Sequence, residues 1–358
     1  YSADMPILID LNFQAILGLG PPSSSIEIAV QDAREVKHEL DSLPGATSLS
    51  AGQTRLATHY YEIADLAKKA RSVAASFQLQ SFSICLGRSV GSPGIIVWHD
   101  LHPEERPVNV FKTVPLKGGL FWSAQLENVA LGALPSGQDD SKTSLGCSDV
   151  ACTAVLDSGT SLIVAPQQAV AQVNEALTKW RALSGNCTDL STLPHLEFEM
   201  GGSLFRLPPE SYVGDLSGDV SKLDPDVRRF LLHLQSPNQT RLSALQGGRD
   251  VETLFDACTP MLMVMDQDPS RPPQWILGMP FFREYYSTFS LGQAKLPWRR
   301  QAMSMSFAKA GPDCYPADSD VQMPDEALRQ TRRMRIDISK LRVPRWALQE
   351  AKQKARHL

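Results

Sequence analysis

The sequence has no surplus of positive charge, no long apolar run and no leader-like start. Its 35 Lys and Arg residues are balanced by 39 Asp and Glu residues, which gives a formal net charge of -4 at pH 7. This balance argues against nucleic acid as the main partner, because few basic groups are available to neutralise phosphates. No apolar run approaches the roughly 18 residues that a membrane-spanning helix needs. Residues 1–20 have no basic segment, no uninterrupted apolar core and no small-residue cleavage site, so they do not read as a signal peptide.

Two binding-site patterns are present only in incomplete form. The stretch GLGPPS at residues 18–23 lacks the third Gly of a phosphate-binding loop, and its two Pro residues remove backbone donors. The stretch HDLH at residues 99–102 has no further ligands at suitable spacing, so a solvated loop is favoured over a metal site. We therefore expect no metal ion and no cofactor.

The composition is that of a soluble globular protein, and the length of 358 residues suits two lobes with additional segments. The chain opens without Met, which we interpret as a mature or truncated product. Residues 27–76 contain two amphipathic helical patterns separated by a Pro-, Gly- and Ser-rich loop. After residue 79 short segments rich in β-branched and aromatic residues follow one another, interrupted by one helical pattern at residues 166–183. These patterns predict a mostly-β chain with few helices.

The carboxylate of Asp157 lies at the end of an apolar strand, a position that suits acid–base chemistry. In TAVLDSGTSLIVAP, residues 153–166, Asp157 follows an apolar strand and enters a tight Ser-Gly turn before a second apolar strand. Chemistry of this kind normally needs two carboxylates that share a proton. The alternative is an ordinary Asp-Gly turn between strands.

An internal similarity bears on the second carboxylate. AILGLGPP at residues 15–22 resembles WILGMPFF at residues 275–282, which suggests two lobes built on one plan. The second copy lies downstream of Asp157, so the first would lie downstream of a similar turn before residue 1. No other Asp-Ser-Gly or Asp-Thr-Gly turn occurs in the sequence. We therefore expect the partner carboxylate to be missing from this chain.

These segments, in this order, resemble the pepsin-like aspartic proteases. VLDSGTSLIVAP is similar to the catalytic motif of that family's C-terminal lobe, and WILGMPFFREYYSTF and FQAILGLGPPSSS are similar to its two Ile-Leu-Gly segments. GLFWSAQLENVALG and CTDLSTLPHLEFEMGGSLFRLPPESYV resemble further strands of the C-terminal lobe. The resemblance covers about residues 11–310. It implies a bilobal, mostly-β acid-protease fold with a partial N-terminal lobe and a complete C-terminal lobe.

The resemblance assigns a role to each residue of the turn. It makes Asp157 the catalytic aspartate of the C-terminal lobe. It implies that Ser158 braces the two catalytic loops against one another and that Thr160 hydrogen-bonds the carboxylate. Gly159 permits the turn and a close backbone approach.

Two Leu-Gly pairs are implied to lie behind the catalytic loops. These are Leu277 with Gly278 in the C-terminal lobe, and Leu17 with Gly18 in the other lobe. The family also places two disulfides in the C-terminal lobe, which match Cys147 with Cys152 and Cys187 with Cys258.

The chain departs from the family pattern at several positions. Met279 replaces an Asp found in many members, and His99 and Asp100 replace two glycines. The family's first catalytic Asp and its flap tyrosine would both precede residue 1. Residues 311–358 have no counterpart.

The six cysteines give further expectations. Cys147 and Cys152 flank a short polar loop, a spacing that suits a local disulfide and not zinc. Cys85 lies in an apolar strand and is expected to be a buried thiol. Cys314 is expected either to be free or to pair with a cysteine upstream of residue 1 or on another chain. Asn186 and Asn238 begin glycosylation sequons. Together these features favour the secretory pathway, either outside the cell or in an acidic vacuolar or lysosomal lumen.

The expected organisation has three parts. Residues 1–120 form a remnant of the N-terminal lobe with a helical insertion at about 27–76, residues 121–310 form the C-terminal catalytic lobe, and residues 311–358 form a basic tail. From residue 325 this tail carries ten Lys and Arg against four Asp and Glu. It could touch an anionic membrane as a basic helix, but a solvated extension is favoured.

The resemblance implies an aspartic endopeptidase that cleaves polypeptides in acid through two aspartates and an activated water. The alternative is an inactive binding or inhibitory module, since the first catalytic Asp and the flap are absent. A homodimer that pairs two copies of Asp157 is disfavoured, because the residual N-terminal lobe would obstruct it.

Overall fold

The computed structural model describes seventeen stretches of the chain, which fall into two compact units. The described residues are 17–21, 24–42, 50–69, 73–88, 92–101, 105, 110–118, 121–133, 142–184, 190–217, 259–265, 267, 272–292, 294–296, 299–300, 303–316 and 335–337. Unit 1 comprises residues 1–80 with 118–121, and unit 2 comprises residues 81–117 with 122–358.

Unit 1 is built around a pair of helices. The described helices are α1 (Ser24–Asp41), α2 (Ala51–Lys69) and the single turn α3 (Val73–Ser76). Small residues at the contact between α1 and α2, Ala29, Ala33 and Ala64, let the two helices approach closely and are buried there. Ser50 and Gln53 form a capping box before α2, since Ser50 Oγ accepts the Gln53 N–H at 3.3 Å and Gln53 Oε1 accepts the Ser50 N–H at 2.8 Å.

Unit 2 contains the strands. In chain order they are β1 (Ser81–Cys85), β2 (Ile95–Trp98), β3 (Lys112–Pro115), β4 (Ser123–Leu131), β5 (Thr143–Gly146), β6 (Cys152–Leu156), β7 (Ile163–Pro166), β8 (Leu196–Met200), β9 (Ser203–Leu207), β10 (Val213–Ser217), β11 (Thr259–Pro260), β12 (Leu262–Met265), β13 (Gln274–Leu277), β14 (Tyr285–Ser290), β15 (Ala294–Leu296), β16 (Arg299–Arg300), β17 (Ser304–Lys309) and β18 (Arg335–Asp337).

Few helices interrupt these strands in the described part of unit 2. They are α4 (Gln167–Ser184), a 3-10 turn at Leu190–Thr192, α5 (Pro209–Tyr212) and α6 (Met279–Glu284). The mostly-β class predicted from the sequence is confirmed. Among the described residues no helix is both long enough and apolar enough to cross a bilayer.

The larger sheet of unit 2 has the strand order β12-β7-β13-β6-β4-β8-β9, with β5 paired to β4. Most pairs are antiparallel, but β13 runs parallel to β6 and β12 runs parallel to β7. Strand β13 therefore lies between the two strands that flank the Asp157 turn.

A second sheet has the order β2-β1-β14-β17-β3. Beside it, the Asp100 carboxylate accepts hydrogen bonds from the hydroxyls of Ser83 and Tyr286, the latter at 2.6 Å. Asp100, which replaces a family glycine, is thus tied to the strands of this sheet. His99 holds a left-handed φ of 54°, a conformation that favours glycine.

An aromatic cluster packs between these two sheets. Phe205 of β9, Phe281 of α6, Tyr285 of β14 and Phe307 of β17 have ring centroids 4.9 to 5.6 Å apart in the closest pairs. Phe205, Phe281 and Phe307 are fully buried. Large aromatic side chains supply much of the buried apolar area of such a core.

The prediction of a free buried thiol at Cys85 is wrong, and so is the prediction that Cys314 is free or pairs outside residues 1–358. Cys85 forms a disulfide with Cys314, 229 positions later in the chain. Both cysteines lie in a buried cluster with Phe111, Tyr286 and Ala308. The local sequence could not predict this pair, because long-range packing brings the two residues together.

Two described parts of the predicted tail contact the rest of unit 2. Beyond Cys314, Ala310 and Pro316 form an isolated bridge. Strand β18 pairs in parallel with β10, with Ile336 opposite Leu216.

Candidate active site

The Asp157 carboxylate is held in place by its own turn. Asp157 directly follows β6 and is half-buried. Its Oδ1 accepts the Gly159 N–H at 2.9 Å, and its Oδ2 accepts the Thr160 hydroxyl at 2.6 Å. The Thr160 N–H closes the turn on the Asp157 carbonyl oxygen at 3.1 Å. Both carboxylate oxygens are thereby oriented by donors within three residues.

Strand β13 supports this turn from behind. The Asp157 N–H donates to the Leu277 carbonyl oxygen at 3.2 Å, and the Met279 N–H donates to the Thr160 carbonyl oxygen at 2.8 Å. Leu277 pairs with Leu156 on one side and with Ile163 on the other. Leu277 and Gly278 therefore lie behind the Asp157 turn, as the resemblance implied. The hydrogen bond of Met279 uses only its backbone N–H, so the side chain at this position does not predict it. The bond is therefore kept although Met279 replaces the Asp found in many members of the family.

The two Leu-Gly pairs are not equivalent. Leu17 is 55% exposed, and no atom of a described residue lies within 4 Å of the position that a Cβ on Gly18 would take. The loop that Leu17 and Gly18 are expected to support would precede residue 1, so their position behind it stays a prediction.

The remaining residues of the turn have different environments. Thr160 is fully buried, so the packing around its side chain holds in position the hydroxyl that donates to Asp157. Ser158 is half-buried beside it and Gly159 is exposed. A single oriented carboxylate of this kind can exchange a proton with a bound water or substrate, but acid–base hydrolysis needs a second group.

The cysteines and sequons near this part of the chain are only partly described. Cys147 and Cys152 form a disulfide at the start of β6. Cys187, Cys258, Asn186 and Asn238 lie outside the described residues. The described part of the chain holds no group of three or more His, Cys, Asp and Glu side chains arranged to bind a metal.

A Gly-x-Ser-x-Gly pattern lies between two antiparallel strands of this fold. Residues 87–91 read Gly-Arg-Ser-Val-Gly, the spacing of a nucleophile elbow. An elbow joins a strand to a helix, whereas this segment connects β1 to its antiparallel neighbour β2. The segment therefore gives no support to a serine hydrolase.

Replacing Gly278 with Ala is expected to destabilise unit 2 by about 3 kcal/mol or more. A Cβ at this position would lie 2.1 Å from the Leu162 carbonyl oxygen and 2.4 Å from that of Thr160, so backbone must move. Urea unfolding followed by tryptophan fluorescence measures the loss. The matched control is Gly18→Ala, whose Cβ meets no atom within 4 Å in the described part of the chain and which should change stability by under about 0.5 kcal/mol. Equal effects of the two variants would show that the Gly278 contact is not tight.

Comparisons with known proteins agree with the geometry of this turn. The model of the eukaryotic aspartyl protease family matches residues 52–223, which include Asp157. The chain is 27% identical to cathepsin D of Canis lupus familiaris over 180 residues, which are 49% of this chain and 33% of that protein. It is 27% identical to gastricsin of Homo sapiens over 220 residues, which are 60% of this chain and 45% of that protein.

A third relative gives the same result. Napsin-A of Mus musculus is 26% identical over 183 residues, which are 50% of this chain and 33% of that protein. The matched part of the chain thus spans less than half the length of these curated relatives. The family match over the Asp157 turn, the mostly-β architecture and the relatives agree with one another. The chain is therefore similar to the eukaryotic aspartyl proteases over residues 52–223, just under half of its length.

Proposed function

We propose that this chain supplies the C-terminal catalytic part of an aspartic endopeptidase, with Asp157 as one of two catalytic carboxylates. The observation that carries the proposal is the geometry of the turn. Both oxygens of Asp157 accept hydrogen bonds, from the Gly159 N–H and the Thr160 hydroxyl, and β13 holds the turn from behind. A carboxylate oriented in this way is pre-organised for proton transfer.

In the proposed reaction one carboxylate is ionised and its partner is protonated. The ionised group takes a proton from a bound water, whose oxygen attacks the carbonyl carbon of the peptide bond. The protonated group donates to the carbonyl oxygen, and the C–N bond breaks once the amide nitrogen has accepted a proton. Two carboxylates that share one proton cannot both ionise, so the activity is expected in acid. Ser158 would help to hold the partner loop against the Asp157 turn.

The second carboxylate must come from a matching turn outside residues 1–358, because the sequence contains a single Asp-Ser-Gly turn. The proposed substrate is an extended polypeptide with apolar residues near the scissile bond. The Asp157 turn would form one wall of the cleft that binds it.

A second candidate function rests on the same single turn. Without a partner carboxylate the chain could retain the Asp157 wall of a peptide-binding cleft and act as a binding or inhibitory module. Such a module would bind peptides and would not cleave them.

The proposed location is an oxidising compartment of the secretory pathway, the cell exterior or an acidic lumen. Two disulfides, Cys85 with Cys314 and Cys147 with Cys152, support this location, since such bonds persist where thiols are not kept reduced. The sequons at Asn186 and Asn238 would be glycosylated there.

The test is an acid proteolysis assay. We expect the protein expressed from its complete transcript to cleave denatured globin at about pH 4, and pepstatin to block the cleavage. Residues 1–358 alone should be inactive. Pepstatin binding without cleavage by the complete protein would favour the binding module, and neither binding nor cleavage would contradict both functions.

A further inference from the structure

A cavity in unit 2, away from the Asp157 turn, is lined mainly by basic side chains. Its volume is about 380 Å³, and its lining residues are Arg88, Lys112, His195, Leu204, Arg206, Pro208, Tyr285 and Lys309. They come from β3, β9, β14, β17 and the segments next to β1, β8 and β9. A volume of this size suits a small molecule.

Acidic side chains neutralise only part of this positive charge. The buried Glu284 carboxylate pairs with Lys309 at 2.9 Å and with Arg88 at 3.3 Å. The Glu197 carboxylate pairs with Arg206 at 2.8 Å. Counting only residues that the structure describes, four cationic side chains line the cavity and pair with two carboxylates, which leaves an excess of two positive charges. Glu197 also binds Lys142 at 2.6 Å, so its charge is shared further.

Within the part of the chain that the structure describes, Lys112 is the lining cation without an acidic partner. Its ammonium donates to the Leu204 carbonyl oxygen and lies 5.0 Å from the centre of the Phe205 ring. Among the described residues no carboxylate lies within ion-pair distance of it. Burial, together with the nearby charges of Arg206 and Lys309, lowers the pKa of Lys112. The lining cations therefore repel one another, and a bound anion would relieve this repulsion.

The imidazole of His195 is affected by the same positive charges. Burial lowers the pKa of its imidazole, and the charges of Lys309 and Arg206 lower it further. The carboxylates of Glu197 and Glu284 act in the opposite direction but do not cancel this effect. His195 therefore adds no charge to the cavity near pH 7.

Tyr285 fixes the geometry of the lining and is not a free donor. Its hydroxyl accepts the Arg206 N–H at 2.9 Å and donates to the Arg206 carbonyl oxygen at 3.0 Å. Burial raises the pKa of this phenol to about 12, so it stays neutral. The two bonds tie β9 to β14 and so hold the backbone of Arg206 in place.

We propose that this cavity binds a phosphoryl group, either as free phosphate or as part of a small organic phosphate. A phosphoryl dianion carries the two negative charges that the lining lacks. Its several acceptor oxygens can bond to the ammonium groups of Lys112 and Lys309 and to the guanidinium group of Arg206 at the same time. Leu204 and Pro208 provide an apolar wall for the organic part of a ligand. This inference does not depend on peptide hydrolysis.

Isothermal titration calorimetry at low salt and about pH 7 tests the proposal with two probes, inorganic phosphate and O-phosphoserine. We expect at least one probe to bind, and Lys112→Met to weaken that binding by roughly tenfold or more, the effect of losing one charge-assisted hydrogen bond. The Lys112 side chain lies at the surface end of β3, so the variant should fold, which a melting curve verifies. Tighter binding of phosphoserine would identify an organic phosphate as the ligand, whereas tighter binding of inorganic phosphate would identify the free ion.

The matched control is Lys179→Met on α4. Lys179 is an exposed lysine that pairs with Glu175 and does not line the cavity. It should leave the affinity of either probe unchanged. Absence of binding by both probes would overturn the proposal, and so would equal affinities of the Lys112→Met variant and the unsubstituted protein.

Discussion

The Asp157→Asn variant of the complete protein should lose acid cleavage of denatured globin by a factor of roughly 10² to 10⁴, the contribution of a positioned acid–base group. The amide has almost the same volume as the carboxylate and keeps one acceptor oxygen. It can neither take a proton from water nor give one to the carbonyl oxygen. The rate of cleavage at about pH 4 measures the effect. The fold should persist, because Asp157 lies in a half-buried turn and not in the core.

The control for this variant is Asp149→Asn. Asp149 is exposed, in the loop between Cys147 and Cys152, and the same change there should leave the rate unaltered. Melting curves of both variants separate a loss of chemistry from a loss of fold. Substantial cleavage by Asp157→Asn would show that Asp157 is not a catalytic carboxylate.

The Asp157 turn was predictable because its contacts are local. Gly159 and Thr160 donate to the carboxylate from two and three residues away, so a short motif contains most of the geometry. The position of Leu277 and Gly278 behind the turn was implied by the family resemblance and not by the local sequence alone. Short β-branched and aromatic segments indicated the strands, because such residues suit a half-buried pleated surface.

The basic cavity could not be predicted in this way. Lys112, Arg206 and Lys309 lie on three separate strands, and each is unremarkable in its own segment. They share a cavity only because β3 pairs with β17 while β9 joins the other sheet.

The disulfide between Cys85 and Cys314 likewise could not be predicted from the local sequence. Its removal is expected to have a large effect on stability. Replacing both cysteines with Ala should lower the free energy of unfolding by about 5 kcal/mol. The bond joins residues 229 positions apart, and cross-linking so long a loop removes much entropy from the unfolded chain. Alanine is preferred to serine, because both sites are buried and an unpaired hydroxyl there would be costly.

The chain offers a matched control in the bond between Cys147 and Cys152. Its residues are five positions apart, so the same entropic argument gives only about 2 kcal/mol for replacing them with Ala. Urea unfolding followed by fluorescence of the buried Trp275, Trp122 and Trp180 compares the two double variants. If the short-loop variant lost as much stability as the long-loop variant, loop entropy would not be the source. The contribution of the long bond would then lie in the native packing of Cys85 and Cys314 against Phe111 and Tyr286.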